Sequence, residues 1–215
     1  MITNYAKKRT PGAQFNPAPV VKATTDVVFY CWWRSDPCAN LAHLPGFEAE
    51  LASDYRLIAE LARLDLAEIL ARVRDGHRPY IARLSGAPVA YGWSAGNRAS
   101  IGELGLEFAI PAGNRYLWDF ATVPAWRGIG IYPRLLQVII AREAAEAERF
   151  WIGHVYDNSA SGRGIVKAGL GEAGATGCPD GQALTFAATG PAARERACAG
   201  LLGLGVSLSR SVRSV

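Results

Sequence analysis

Residues 116 to 132 read YLWDFATVPAWRGIGIY, and the reading of this stretch decides the fold. Tyr116 to Val123 is an aromatic and aliphatic run with strand character. From residue 131 to 147, Leu135, Leu136, Val138, Ile139 and Ile140 form the apolar stripe of a helix. Arg127-Gly-Ile-Gly-Ile-Tyr132 must turn the chain between them. Gly128 and Gly130 let the backbone turn tightly and approach a ligand without a Cβ in the way. Pro133 suits the first helical turn, where a missing N–H costs nothing. The N–H groups that open the helix point outward as an anion cradle, and Arg127 adds a formal charge. Arg127, Gly128, Ile129, Gly130, Ile131 and Tyr132 are therefore the candidate seat of a phosphate or pyrophosphate. The spacing is not that of a Walker loop, which needs G-x-x-x-x-G-K-[ST]. It also lacks the third glycine and the later acidic residue of a dinucleotide fingerprint.

Outward from this turn, the chain alternates strand and helix signals. Val27 to Trp33 (VVFYCWW) is a strand by composition, closed by the turn chemistry of Arg34-Ser-Asp-Pro-Cys38. From Phe47 on, Leu51, Tyr55, Ile58, Leu61 and Ala62 recur at helical spacing. Asp65 and Glu68 have the spacing of a capping box, which predicts a second helix from Leu66 to Val73, stopped by Asp75-Gly76. Pro79–Leu84 and Pro88–Ser94 read as a hairpin around Ser85-Gly86-Ala87. Leu104–Ile110 and Tyr116–Val123 read as a second strand pair. Phe150–Tyr156 is a strand, Ser159–Ala168 a short helix and Gln182–Ala188 a last strand. Pro191 opens a final helix ending near Leu204, whose leucines either pack on the body or meet a second copy of the chain. The expected architecture is α/β of the α+β kind: a mixed, mostly antiparallel twisted sheet flanked by helices. Residues 1–26 read as an arm, 27–189 as the working domain and 190–215 as a C-terminal helix and tail.

The bulk properties exclude several classes. The chain has 215 residues, half of them hydrophobic and 20% charged, enough for one packed domain. The longest apolar run, Ala197 to Val206, is too short for a membrane span, and no apolar stretch follows Lys7, Lys8 and Arg9 to make a secretory signal. A cytoplasmic protein with no membrane partner is expected. The net charge of +4 is concentrated at the ends. Lys7, Lys8, Arg9 and Lys22 against Asp26, and Arg194, Arg196, Arg210 and Arg213 against Glu195, leave the body between them with an acidic excess. A duplex binder needs its basic face on the folded part, so nucleic acid is not the expected partner. Cys31, Cys38, Cys178 and Cys198 form no C-x-x-C pair, and His43, His77 and His154 are scattered, so no metal is expected.

A second segment gives the glycine turn its context. Asn158-Ser-Ala-Ser161 follows the Phe150–Tyr156 strand, and Lys167-Ala-Gly-Leu170 follows in turn. With the Arg-Gly-Ile-Gly turn, this resembles the GNAT superfamily of N-acetyltransferases. The family's R-x-x-G-x-[GA] cradle matches at Arg127 and Gly130. Its Asn-x-x-[Ser/Ala]…Lys-x-Gly-[Phe/Leu] pattern matches at Asn158, Ser161, Lys167, Gly169 and Leu170. Element order agrees from Val27 to Ala188. The third small position of the cradle is instead Tyr132.

The resemblance implies acetyl-CoA as co-substrate, with the backbone of Thr122 and Val123 along the pantetheine, and Asn158 and Ser161 beside the cofactor-binding turn. It implies transfer of the acetyl group by direct attack of a primary amine, of a small molecule or a peptide, on the thioester. A non-catalytic acyl-CoA-binding or regulatory module of the same fold is the alternative. A backbone N–H of the Tyr116–Val123 strand would meet the oxyanion. Candidate bases are Asp119, if a bulge re-aims it, and Glu107, with Glu103 nearby. Where the family often has a proton-donating tyrosine this chain has Ile165, which leaves Tyr156 as the candidate acid. Acceptor contacts would come from Trp32, Trp33, Arg34 and the Cys38–Phe47 loop.

Overall fold

The structure, a computed structural model, describes residues 26–177 and 184–207. Nine strands form one sheet in the order β11-β10-β9-β1-β8-β7-β4-β3-β2. In chain order these are β1 (Val27–Trp33), β2 (Phe47–Leu51), β3 (His77–Leu84), β4 (Ala87–Ala95), β7 (Asn114–Thr122), β8 (Arg149–Val155), β9 (Gly171–Gly177), β10 (Thr185–Ala187) and β11 (Val206–Ser207). A separate two-stranded ribbon pairs β5 (Arg98–Ile101) with β6 (Leu106–Ala109). The β7–β8 and β10–β11 pairs are parallel; the others are antiparallel. The expected mixed, mostly antiparallel sheet with flanking helices is present.

Both faces of the sheet are covered, and β1 shows why its sequence is apolar without a break. Val28, Tyr30 and Trp32 face a core built with α3 (Ile131–Glu143) and α4 (Ser159–Lys167). Val27, Phe29 and Cys31 point the other way, onto the β5–β6 ribbon and α5 (Ala192–Leu202). A strand buried on both sides needs no polar alternation. On that second face, α1 (Tyr55–Ala62) and α2 (Leu66–Arg74) cover Ile81, Tyr91 and Trp93. Leu201 and Leu202 of α5 are buried in this chain's own core. Among the described residues no helix is long and apolar enough to cross a membrane.

Several expectations are corrected. The helical pattern from Phe47 is real only from Tyr55, where Asp54 caps α1 by accepting from the N–H groups of Arg56 and Leu57. Phe47–Leu51 is an edge strand on β3; Phe47 and Ala49 pack on the core, and Glu48 and Glu50 are exposed. Helix α2 starts where the capping-box spacing puts it, yet Asp65 makes no side-chain cap and Glu68 binds Arg72 instead. The expected partner of β7 in a hairpin, Leu104–Ile110, shortens to β6 and pairs with β5. Residues 1–25 of the expected arm and Gln182 at the start of the last expected strand lie outside the described residues.

Candidate functional site

The site begins where two strands part. β7 runs beside β8 only from the Asn114–Arg149 rung to Leu117–Ile152. Beyond it, β8 stays with β1 up to Val155 and β7 stays with β4 up to Thr122. The β8-facing edge of β7 from Asp119 onward therefore carries backbone groups with no strand pairing among the described residues. Such an edge can bond an extended ligand as a strand would. The parting coincides with a β-bulge. Trp93 opposes Trp118 but Tyr91 opposes Ala121, so Asp119 and Phe120 together face Gly92. Asp119 has a φ of 49°, uncommon for a residue with a side chain.

The bulge resets which way side chains point. Trp118 and Asp119 both face α1 and α2, and Phe120 crosses to the α3 face. There its ring lies over Gly92 and 5.4 Å from the Tyr132 ring. Asp119 accepts from Arg72 Nη1 at 2.5 Å and from the Tyr91 hydroxyl at 3.2 Å. Burial, more than the neighbouring carboxylate, pushes the Tyr91 phenol well above its ordinary range.

Next to the free edge, the glycine turn and α4 enclose a cleft of about 470 Å³. Pro124–Trp126 forms a single 3₁₀ turn, then Gly128 (φ 84°) and Gly130 (φ 82°) take left-handed conformations that glycine adopts without strain. A Cβ on Gly128 would meet nothing, so the turn is open toward solvent. No side chain caps α3, leaving its first N–H groups facing the cleft. Arg127, Arg163 and Lys167 line the cleft together with no carboxylate. Arg127 Nε donates to the Thr122 carbonyl at 3.0 Å, holding the turn on the end of β7. Asn158 caps α4 by accepting from the Ser161 N–H at 3.2 Å. The Tyr132 ring covers Gly164, its hydroxyl lies 3.3 Å from Ser161 Oγ, and burial raises its phenol well above the ordinary value.

The sequence-predicted cradle is brought together in this cleft: Thr122, Arg127, Gly128, Gly130, Ile131, Tyr132, Asn158 and Ser161 all line it. Ile129 faces solvent, and the Val123 N–H is spent on Val89 of β4. The other candidates fall elsewhere. Glu107 is exposed on the β5–β6 ribbon and Glu103 is exposed in the turn before it. Tyr156 is 61% exposed and lines no part of the cleft, while Ile165 is fully buried in the core. Trp32 is buried against Phe150. The guanidiniums of Arg149 and Arg194 both lie over the Trp33 ring, and Arg34 donates to the carbonyls of Ala144 and Ala147 just past α3. The reason is strand direction: β1 is antiparallel to β8, so its last residues meet Arg149, at the far end from the cleft.

Sequence reading missed Arg163, Phe120 and Trp126 as lining residues, and used Lys167 only as part of a motif. Arg163 and Lys167 are four apart and so share one face of α4, a signal present in the sequence. A second cavity, about 420 Å³, sits by Arg115 at the start of β7. Its Arg78 and Arg115 are already paired with Glu143 and Glu146, so it offers an anion no surplus charge. Among the described residues no three His, Cys, Asp or Glu side chains gather to hold a metal.

No family model matches the sequence, and no curated protein matches it. Solved structures do. A GNAT-family protein of Novosphingobium aromaticivorans aligns over 70% of this chain and 61% of its own, with a TM-score of 0.50 and 18% identity. The fold is that of the GNAT acetyltransferases. A GCN5-related N-acetyltransferase of Kribbella flavida aligns over 68% of this chain and 54% of its own, with a TM-score of 0.47 and 15% identity. The chain thus spans between half and two thirds of the length of these GNAT proteins.

Proposed function

We propose that the protein is an acyl-CoA-dependent N-acetyltransferase, moving an acetyl group from acetyl-CoA to a primary amine of a small molecule or peptide. One observation carries the reading: a single cleft joins a carboxylate-free end, lined by Arg127 of the turn and Arg163 and Lys167 of α4, to the unpaired edge of β7. The first end suits pyrophosphate, and the second suits the amide-bearing pantetheine arm, which hydrogen-bonds as a peptide does. Arg163 and Lys167 join Arg127 and the open glycine turn in holding the phosphates.

Acetyl-CoA supplies an acyl group already activated as a thioester, so much of the acceleration comes from positioning. The amine nitrogen bonds to the carbonyl carbon, the C–S bond breaks, the nitrogen loses a proton and the sulfur leaves as thiolate or thiol. A backbone N–H on the free edge of β7 is suited to the developing oxyanion. The Asp119 carboxylate is engaged by Arg72 and Tyr91, and Glu107 does not line the cleft, so the amine proton is assigned to water. Tyr132 keeps its proton because burial raises its phenol, while a CoA thiol titrates near roughly 8 to 9, like a free cysteine. Tyr132 is the one tyrosine lining the cleft among the described residues, and it is assigned as a hydrogen-bond donor to the departing sulfur, not as a source of a transferred proton. A cytoplasmic setting belongs to this reading.

The test joins calorimetry with acetyl-CoA to detection of free CoA thiol over a panel of primary amines. Saturable binding and amine-dependent thiol release are expected. Binding without release from any amine would make the chain an acyl-CoA-binding module, and absence of binding would defeat the reading.

A further inference from the structure

The grip on Asp119 comes from an unusual arginine. Arg72 of α2 is 8% exposed along its side chain and is bonded at both ends of its guanidinium. Nη1 lies 2.5 Å from Asp119 Oδ2 and Nη2 lies 2.8 Å from Glu68 Oε1. The guanidinium also sits 4.7 Å from the Trp118 ring centroid and 5.3 Å from that of Trp93. A planar cation packed against two neighbouring indoles, whose centroids are 6.1 Å apart, and forked to two carboxylates is held in one orientation. Asp119 meets this fork from a left-handed backbone, with Tyr91 on its other oxygen. Arg63 and Ser85 take the same conformation at a helix end and a hairpin turn, but within a strand it is costly for a residue with a side chain and needs contacts that hold it.

We infer that Arg72 is a positioning residue: by holding Asp119 in its left-handed conformation it maintains the bulge that parts β7 from β8 and opens the pantetheine end of the cleft. The inference rests on the proposed acyl-CoA function for its consequence in binding, and on the bulge alone for its mechanism. Without the clamp, residue 119 relaxes to extended backbone and the ladder with β4 loses its extra residue. Phe120 then turns to the α1–α2 face, because a one-residue change of register swaps faces. It leaves Gly92 and Tyr132, and the unpaired edge of β7 loses the shape that receives a ligand.

The test has two arms. In the first, calorimetry compares CoA with adenosine 3′,5′-bisphosphate, a fragment with phosphates and no pantetheine. Arg72→Met keeps apolar length against the two indoles and removes the charge. It is expected to weaken CoA at least tenfold and the bisphosphate no more than about twofold. The double variant Arg72→Met/Asp119→Gly should recover CoA affinity to within about threefold, since glycine takes positive φ freely. Parallel loss of both ligands, no loss of CoA, or no recovery in the double variant would overturn the inference.

Should Arg72→Met not fold, Asp119→Gly and Asp119→Ala decide it in its place. Both delete the carboxylate, and only glycine keeps the bulge without a clamp, so alanine alone should lose CoA affinity. Equal behaviour of the two would count against the clamp. The second arm needs no ligand: the nuclear Overhauser contact between the rings of Phe120 and Tyr132 should vanish in Asp119→Ala and remain in Asp119→Gly. If the wild-type protein binds neither ligand, the proposed function fails, and the ring contact still decides the role of the clamp.

Discussion

Replacing Gly92 by alanine asks whether the bulge is where the structure puts it. In a regular ladder Phe120 would share a face with Tyr116 and Trp118, and a methyl group on Gly92 would have room. With the bulge, that methyl lies 2.8 Å or less from three carbons of the Phe120 ring. The ring cannot easily give way, being buried and packed on Tyr132. Overpacking costs about 1–3 kcal/mol, and an obstacle on both sides puts this case near 3. At about 2–4 °C per kcal/mol for a chain of this size, Tm should fall by about 6–12 °C. Phe120→Ala alone should cost about 3–5 kcal/mol by leaving a cavity. In the double variant the added methyl enters that cavity, so nearly all of the Gly92→Ala cost should disappear as a coupling energy. Thermal unfolding followed by circular dichroism measures all four proteins. A Gly92→Ala protein within 2 °C of wild type, or a cost undiminished in the Phe120→Ala background, would refute the bulge assignment.

Other outcomes follow from the cleft and its surroundings. Arg163→Met and Lys167→Met should each weaken acetyl-CoA about tenfold, the worth of about one charge-assisted hydrogen bond, and reduce the salt dependence of binding; calorimetry at two ionic strengths reads both. Tyr132→Phe should lower kcat about ten- to a hundredfold with little change in acetyl-CoA affinity, and should remove no ionisation from the pH–rate profile between about 6 and 9. His77, whose protonation burial disfavours, has a folded-state pKa below its ordinary value near 6.5. The unfolded chain takes up that proton first on acidification, so this group's stabilising contribution is present above about pH 6.5 and is lost as pH falls toward the folded value. Tm measured from about pH 8 to 5 should decline less in His77→Gln than in wild type.

The glycine turn and the two helices around it were legible because their information is local. Gly128 and Gly130, Pro133 and the apolar stripe of α3 specify turn and helix within a few residues of each other, and Asn158 caps the helix it precedes. Features made by distant partners were not. The strand β9, with the sequence GEAGATG, has almost no strand propensity; it exists because β1 and β10 flank it, and Gly174 makes room for the Phe186 ring. The orientation of Asp119 depends on Arg72, 47 residues earlier, so alternation along β7 could not fix it. Trp33 and Arg34 carry the residue types of a binding loop, but the direction of β1 takes them to the opposite end of the sheet, where they pack against Arg149 and the end of α3.

The most direct measurement of the central claim is a titration of the isotope-labelled full chain with acetyl-CoA, followed amide by amide in nitrogen–proton correlation spectra. Saturable shifts should concentrate at Gly128, Gly130, Ile131 and Tyr132, at Ser161 and Arg163 on α4, and along Phe120 to Thr122 of β7, with the amides of Gly76, Gly96 and Asn97 by the second cavity unmoved. Shifts centred on that second cavity, or none at acetyl-CoA concentrations far above those of the protein, would contradict an acyl-CoA site in the cleft between β7, the glycine turn and α4.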